Sequence, residues 1–282
     1  MKDITALVKG YYFRSSHRPW EASYGMVRVA PHCWYVGDEW LGVVLIESGD
    51  GIIMIDAGIR GQMWLIFEAV RKLGYDPEKD IKLCLISHAH ADHTTGIGIL
   101  QNYAHPVVYM SQLEAHWAAD PDRYITTPRE VDIVPPYQAD YYYDYKTPIV
   151  HGNFSIDVVF TPGHSPGTSS FFFDDVDEDG TVYRVGLHGG MGVNVLTDDR
   201  IPDEEEALQA RRLHRKNLMA IRDVPVDITI TNHGMNINMG ERMGADKTDF
   251  RPFVDSSFWA KHVDKVLAEL DEIEANSKYG KA

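Results

Sequence analysis

The stretch His88-Ala89-His90-Ala91-Asp92-His93 places four potential metal ligands within six positions. It follows a largely apolar run at residues 81–86, which is typical of a buried strand. Functional sites are commonly built where such strands end. In an extended segment His88, His90 and Asp92 can point to one place while His93 faces elsewhere. Two neighbouring metal ions can share these ligands with less strain than one, and we therefore predict a dinuclear site.

Two further histidines downstream complete the predicted ligand set. His164 lies in Thr-Pro-Gly-His-Ser-Pro-Gly at 161–167, a turn that prolines and glycines make rigid. His233 lies in Thr-Asn-His-Gly at 231–234 and follows another predicted strand, at residues 226–230. Imidazole and carboxylate ligands suit zinc, and a catalytic zinc keeps one position open for water. We therefore predict Zn²⁺, with two ions per chain.

In order and spacing these three motifs resemble the metallo-β-lactamase superfamily, from roughly residue 26 to His233. The family's His-x-His-x-Asp-His corresponds to residues 88–93, and its Gly-His to 163–164. The resemblance implies an α/β fold, an αββα sandwich with the metal site at the sheet edge. It also implies that Asp56, in Ile-Asp-Ala-Gly at 55–58, supports the metal ligands from behind and fixes the orientation of their rings.

One departure from the family pattern bears on the subgroup. Many superfamily hydrolases, including glyoxalase II and the quorum-sensing lactonases, carry a Gly-Asp whose carboxylate bridges the two metals. The corresponding segment here, at 185–192, has no carboxylate near Gly190, and both cysteines, Cys33 and Cys84, lie far upstream. What remains is similar to the third lactamase subclass. That resemblance assigns His88, His90 and His164 to the first metal, and Asp92, His93 and His233 to the second.

The missing bridge leaves two alternatives open. Its loss can weaken the second site, so that the protein holds only one ion tightly. His188, beside the gap, can serve as a substitute ligand, although a lone histidine is more often a structural residue.

The resemblance implies hydrolysis by a metal-bridging hydroxide. Zinc lowers the pKa of its water to about 7, so no serine or cysteine nucleophile is needed. We predict that Asp92 is catalytic: it orients the nucleophile and relays a proton to the leaving group. The predicted enzyme is a zinc-dependent hydrolase that opens a small-molecule amide or ester, with a β-lactam-like ring preferred.

Three other functions are alternatives to this one. A lactone or thioester hydrolase on the same fold is the nearest alternative. A di-iron redox protein of the flavodiiron kind is disfavoured, because His90 stands where that family has glutamate. A non-catalytic binding member is disfavoured by the intact ligand set.

Composition limits the partners of the protein. The 282 residues include 27 Lys and Arg against 42 Asp and Glu, which gives a formal net charge of −15. Such a field repels polyanions, so we expect a small-molecule substrate and no nucleic acid. No segment reaches transmembrane length, and the first ten residues lack the apolar core of a signal peptide. We therefore predict a cytoplasmic protein without membrane contact; its oligomeric state is left open.

The pattern predicts a single domain over residues 1–282. We expect an N-terminal extension at 1–25, a lid loop at 120–148 and a C-terminal helix at 254–282. The proposed lid contains five prolines and the tyrosine-rich run 141–145. Long loops in compact domains are usually functional. The candidates for the substrate pocket are therefore Trp40, Tyr141, Tyr143, His188 and Gly190. Equally, the tyrosines can pack on the outer surface or at a dimer interface.

Hydrophobic alternation and helical periodicity predict the remaining elements. Short strands are expected within 27–36 and at 43–46, 52–55, 106–110 and 155–160, and a strand at 171–173 is expected to pair with one at 182–185. Helices are expected at about 61–73, 203–222 and 256–275.

Overall fold

Two β-sheets form the centre of the protein in a computed structural model that describes residues 4–119 and 137–282, with side chains described from Gly10 onwards. Within these residues the first sheet has seven strands, which follow one another in chain order. They are β1 Gly25–Ala30, β2 Cys33–Gly37, β3 Gly42–Glu47, β4 Ile52–Ile55, β5 Ile81–Leu85, β6 Val107–Met110 and β7 Tyr141–Tyr142. The second sheet has the spatial order β12-β11-β10-β9-β8. Its strands are β8 Ile149–His151, β9 Phe154–Phe160, β10 Ser169–Val176, β11 Val182–His188 and β12 Ile228–Ile230.

Helices lie on the outer faces of both sheets. The α-helices are α1 Ile4–His17, α2 Met63–Lys72, α3 Ala91–Thr94, α4 Ile97–Tyr103, α5 Gln112–Ala118, α6 Glu204–Ile221, α7 Met239–Arg242 and α8 Phe258–Asn276. Short 3₁₀ helices lie at Pro19–Glu21, Arg60–Gln62, Gly234–Ile237 and Arg251–Phe253. None of these helices is both long and apolar enough to cross a membrane.

Successive side chains of a strand point to opposite faces of the sheet, and this alternation produces one apolar layer between the sheets and one outside each sheet. On β3, Leu45 packs outward with the cluster that contains α2 and α4, while Ile46 packs between the sheets. On β10, Phe171 also lies between the sheets, whereas Phe172 packs outward against Trp259 of α8. Because both faces of these strands are buried, each sheet needs a helical layer outside it. The predicted αββα sandwich is confirmed.

Parallel strand pairs bring the sequence motifs to one edge. β4 and β5 are parallel, and their carboxyl ends lead into Asp56 and into the His88 motif. β11 and β12 are also parallel, and they lead into Gly190 and His233. The carboxyl ends of parallel neighbours lie at the same edge of a sheet, which is where ligand sites form in open α/β sheets.

The structure describes only the second part of the predicted lid loop, from residue 137 onwards. Residues 120–136 lie outside the described part of the chain. The remainder contains β7, which pairs with β6 and extends the first sheet. The expectation of a loop is therefore wrong at Tyr141 and Tyr142, because a strand of two residues is too short to produce a recognisable alternation.

The predicted N-terminal extension contains α1, which the sequence pattern did not indicate. Ser15 Oγ of α1 donates a hydrogen bond of 2.6 Å to Asp38 Oδ2, and both side chains are buried. A Cβ on Gly61 would lie 2.0 Å from the Ser16 carbonyl oxygen. Glycine at this position therefore permits the close approach of α1 to the 3₁₀ helix Arg60–Gln62. These contacts fix α1 beside the loop that precedes β3.

Burial within β11 can be tested with one substitution at two positions. Val185 is fully buried between the sheets, whereas Val182 on the same strand is 55% exposed. We expect Val185→Ala to lower the free energy of unfolding by about 1–3 kcal/mol, because it removes buried methyl groups and leaves a cavity. Val182→Ala should change it by less than about 0.5 kcal/mol. Urea denaturation measures both; equal losses would contradict the assigned faces of β11.

Candidate metal centre

Three histidines from two loops form a first group of ligand atoms. His88 Nε2 lies 2.9 Å from His90 Nδ1, and His164 Nε2 lies 3.1 Å from the same atom. His88 and His90 follow β5, and His164 lies in the turn between β9 and β10. All three ligand atoms lie within 4.8 Å of one another.

Asp92, His93 and His233 form a second group beside the first. His93 Nε2 lies 3.2 Å from His233 Nε2. Asp92 Oδ2 lies 3.7 Å from His93 Nε2 and 3.6 Å from His233 Nε2. The structure thus brings together the six side chains in the same two groups that the family resemblance implied.

Hydrogen bonds at Nδ1, the ring nitrogen that faces away from each group, determine the direction in which Nε2 points in three of the histidines. His164 Nδ1 donates to the Gly192 carbonyl oxygen at 2.6 Å, and His233 Nδ1 donates to the Trp40 carbonyl oxygen at 2.5 Å. A carbonyl oxygen only accepts, so Nδ1 carries the proton and Nε2 of each neutral ring presents a lone pair to its group. His93 Nδ1 bonds in the same way to Asp56 Oδ2, at 2.6 Å.

Burial keeps most of these rings neutral. It lowers the pKa values of His88 and His90 well below the ordinary histidine value, lowers the pKa of His164 to about 3, and lowers that of His233. For His93 burial acts in the same direction, but Asp92 and Asp56 outweigh it and raise the pKa. With Nδ1 protonated on both rings, the neutral forms of His93 and His233 turn Nε2 lone pairs towards each other with no proton between them. A divalent cation satisfies such a donor set, so the residues fit a metal.

Asp56 connects the loops that supply the second group. Its carboxylate accepts hydrogen bonds from the backbone N–H and the hydroxyl of Ser87, at 2.6 and 2.7 Å, and from His93 and Asn232. Asp56 has a left-handed backbone, with φ of 61°, and is fully buried. The structure therefore places Asp56 where a group that orients metal ligands would act.

The six side chains line a cavity of about 420 Å³. Among the predicted pocket residues, Trp40, His188 and Gly190 line this cavity. Gly190 N donates to His188 Nδ1 at 3.0 Å, and His188 belongs to neither ligand group. In the described part of the chain, the structure thus gives no support to His188 as a substitute ligand.

Tyr141 and Tyr143 do not line the cavity, contrary to the prediction that they belong to the substrate pocket. The Tyr143 hydroxyl is buried and donates to the carbonyl oxygens of Ile86 and Tyr109 at 3.0 Å. Tyr141 is exposed and stacks on Tyr109, with ring centroids 5.1 Å apart. Both tyrosines pack beside the first sheet because their segment extends it.

Sequence reasoning missed three residues around the site. Tyr11 of α1 lines the cavity and stacks on Trp40, with ring centroids 6.1 Å apart. Asn194 lines it from the loop after β11. Glu114 of α5 is buried against the loops of the first group. Each lies far in sequence from the histidine motifs, and no local spacing pattern marks it.

The sequence matches the Metallo-beta-lactamase superfamily over residues 43–218. The chain belongs to this superfamily. A probable metallo-hydrolase of Streptococcus pyogenes is 33% identical over 132 residues, which are 45% of this chain and 54% of the relative. A probable metallo-hydrolase of Bacillus subtilis, YqgX, is 27% identical over 170 residues, 57% of this chain and 78% of the relative. The N-acyl homoserine lactonase AttM of Agrobacterium fabrum is 35% identical over 116 residues, 37% of this chain and 40% of the relative.

The match thus spans only about half of the streptococcal relative and less of AttM. Solved structures share the fold over most of both chains. The β-lactamase from Chitinophaga pinensis has a TM-score of 0.78 at 24% identity and covers 90% of this chain and 96% of its own. BJP-1, a subclass B3 metallo-β-lactamase of Bradyrhizobium japonicum, has a TM-score of 0.76 at 18% identity and covers 91% and 96%. The predicted superfamily is confirmed, and the relatives support the prediction of a metal-dependent hydrolase.

The division into two ligand groups predicts the metal content of variants. Protein purified without added zinc should contain about two equivalents, one for each group of three ligands. His233→Ala leaves the second group two ligands and should lower the content by about one equivalent. His151→Ala, which removes a histidine from β8, should leave the content unchanged. Elemental analysis measures all three proteins; an unchanged content in His233→Ala would contradict the division.

Neutral buried histidines also predict how acid affects the metal-free protein. The pKa values of His88, His90 and His164 lie below the value of about 6.5 that they regain on unfolding. Below pH 6.5 the unfolded state therefore binds more protons, and stability falls as pH falls. The raised pKa of His93 opposes this change but is outnumbered. In EDTA, the urea midpoint should be lower at pH 5.5 than at pH 7.5; an equal or higher midpoint would contradict the neutral cluster.

Proposed function

We propose that the protein is a dinuclear zinc hydrolase that opens a cyclic amide or ester in a small molecule. The observation that carries this proposal is the pair of adjacent three-ligand groups whose lone pairs converge in one cavity. Histidine and carboxylate ligands favour zinc over harder metals. Zinc, when bound, lowers the pKa of a coordinated water to about 7 and polarises a substrate carbonyl oxygen.

Asp92 is the proposed proton carrier. Its Oδ2 lies near both histidines of its group, and its side chain remains 13% exposed at the cavity. A carboxylate there can accept a proton from the attacking water and hand it to the leaving nitrogen or oxygen. Asp56 has no such access, because its carboxylate is fully buried and occupied by four donors.

The cavity walls support a substrate with an apolar part and a few polar groups. Tyr11 and Trp40 form an aromatic wall beside His233, whose ring centroid lies 5.9 Å from that of Trp40. Asn194 and Asn236 offer amide groups at the same cavity. Aromatic walls with a few placed polar groups are typical of small-molecule sites. The aromatic wall would orient the substrate and keep bulk water from one side of the ligand groups.

Two ring types are candidates for the substrate. A β-lactam-like ring is the first, because the loop at Gly190 carries no carboxylate and the structural neighbours include β-lactamases. A lactone ring is the second, because the chain shares 35% identity over 116 residues with AttM and 26% over 165 residues with AiiA, the N-acyl homoserine lactonase of Bacillus thuringiensis. A cytoplasmic location stays a prediction from the sequence.

A substrate panel tests the proposal. Zinc-loaded protein is assayed with a chromogenic cephalosporin, an N-acyl homoserine lactone and an acyl thioester, and we expect the cephalosporin to be hydrolysed. Turnover of the lactone alone would overturn the β-lactam-like assignment and leave the lactone candidate. No turnover of any ring or ester by protein that holds two zinc ions would contradict the hydrolase.

Asp92→Asn serves as the matched active-site variant in this panel. We expect its kcat to fall by about 10²- to 10⁴-fold, because the amide cannot carry the proton. Its zinc content is measured beside its rate, since Asp92 is also a proposed ligand. Asp157→Asn makes the same chemical change on β9, at a half-exposed side chain outside the cavity and both ligand groups, and should retain kcat.

A further inference from the structure

We propose that Glu114 positions the three-histidine group by joining the two loops that supply it, and that its carboxylate determines how tightly that group holds metal. This inference rests on the proposed metal-binding function. Glu114 lies on α5, a helix that contributes none of the six ligands.

The first contact of Glu114 is with the loop after β5. The backbone N–H of Ala89 donates a hydrogen bond of 2.6 Å to Glu114 Oε2. Ala89 stands between His88 and His90, so this bond fixes the peptide that separates two ligands of the group. On the next turn of α5, Trp117 packs against the His90 ring, with centroids 5.5 Å apart.

The other oxygen of the same carboxylate contacts the loop of the third ligand. The Ser165 hydroxyl donates to Glu114 Oε1 at 2.7 Å, and the backbone N–H of Gly167 donates to the same oxygen. Ser165 directly follows His164. A single carboxylate therefore spans the two loops that must meet for His88, His90 and His164 to converge.

Close packing leaves the carboxylate little freedom to shift. A Cβ on Gly167 would lie 2.9 Å from Glu114 Cγ and 2.4 Å from Ser111 Oγ, so the loop rests directly on the start of α5. Glu114 is fully buried. A buried carboxylate is costly unless donors compensate it, and these three donors all come from the two ligand loops.

The roles of Glu114 and Asp56 are complementary. Asp56 bonds the His93 ring directly and reaches Asn232, the residue before His233, so its direct contact with a ligand ring is in the second group. It reaches the first group only through the Ser87 hydroxyl, which lies 3.0 Å from His88 Nδ1. Glu114 bonds the backbone and the hydroxyl beside the first group and touches no ligand ring through its oxygens. Loss of Glu114 should therefore act first on the three-histidine group, whose two loops it joins.

Glu114→Gln on a His233→Ala background tests this inference. His233→Ala disables the second group, so the remaining affinity belongs to the three histidines. Glutamine keeps the shape of the side chain but has one acceptor oxygen, and its NH₂ must face a backbone N–H or a hydroxyl. We expect zinc affinity to fall by about 10- to 100-fold, as for groups that orient metal ligands. Competition with a chromophoric chelator measures the affinity, and the Co²⁺ absorption spectrum should change with it.

Asp175→Asn on the same background is the matched control. Asp175 is also fully buried and accepts from the His32 backbone N–H at 2.8 Å, but it lies outside the cavity lining. Its zinc affinity should equal that of His233→Ala alone. An equal loss in Asp175→Asn would show that general destabilisation, and not positioning, explains the effect, and this would overturn the inference.

Ser165→Ala keeps the test decisive if Glu114→Gln does not fold. It removes one donor to Glu114 and should weaken zinc binding by several-fold, less than Glu114→Gln. Unchanged affinity in a folded Glu114 or Ser165 variant would overturn the positioning role while leaving the proposed function intact. Failure of the wild-type protein to bind zinc would instead contradict the proposed function itself.

Discussion

Convergence of lone pairs from five neutral or partly charged imidazoles is the constraint on which the rest of the site depends. Such rings repel one another in the absence of a cation, so the protein must hold them from behind. It does so with acceptors on the outer nitrogens, chiefly the carbonyl oxygens of Trp40 and Gly192 and the carboxylate of Asp56. Each acceptor fixes both the tautomer and the direction of a ring. Ligands that are already ordered in this way lose little conformational entropy when they bind a metal ion.

The two-sheet architecture supplies these acceptors in the right places. β4 and β5 of the first sheet deliver Asp56 and the His88 motif side by side, and β12 of the second sheet delivers Asn232, which donates to Asp56. Gly42 N in turn donates to the Asn232 carbonyl oxygen, so the loop of the last ligand is bonded to the first sheet. The apolar layer between the sheets therefore does more than stabilise the fold, because it sets the distance between the two halves of the site.

The cavity above the ligands combines parts from distant segments. α1 brings Tyr11 to Trp40, and Trp40 supplies the acceptor for His233. The loop after β11 supplies Asn194 and the Gly192 carbonyl oxygen that orients His164. The proposed substrate-binding walls are thus connected to the metal ligands by hydrogen bonds. Changes in the walls of such a site are expected to alter the orientation of the ligands as well as substrate contacts.

The sequence by itself determined most element positions, because apolar alternation is a local pattern, and it placed the candidate ligands in three short motifs. Through the resemblance of these motifs to a known superfamily it implied the αββα architecture. It also indicated the division of ligands through the resemblance of its motifs. Only the tertiary structure decided the surroundings: that α1 forms a wall, that Tyr141 and Tyr142 extend the first sheet, and that Glu114 joins two loops. These contacts connect residues far apart in the chain, and their geometry arises when the sheets pack. No periodic pattern in the sequence predicts which buried carboxylate will bond to which loop.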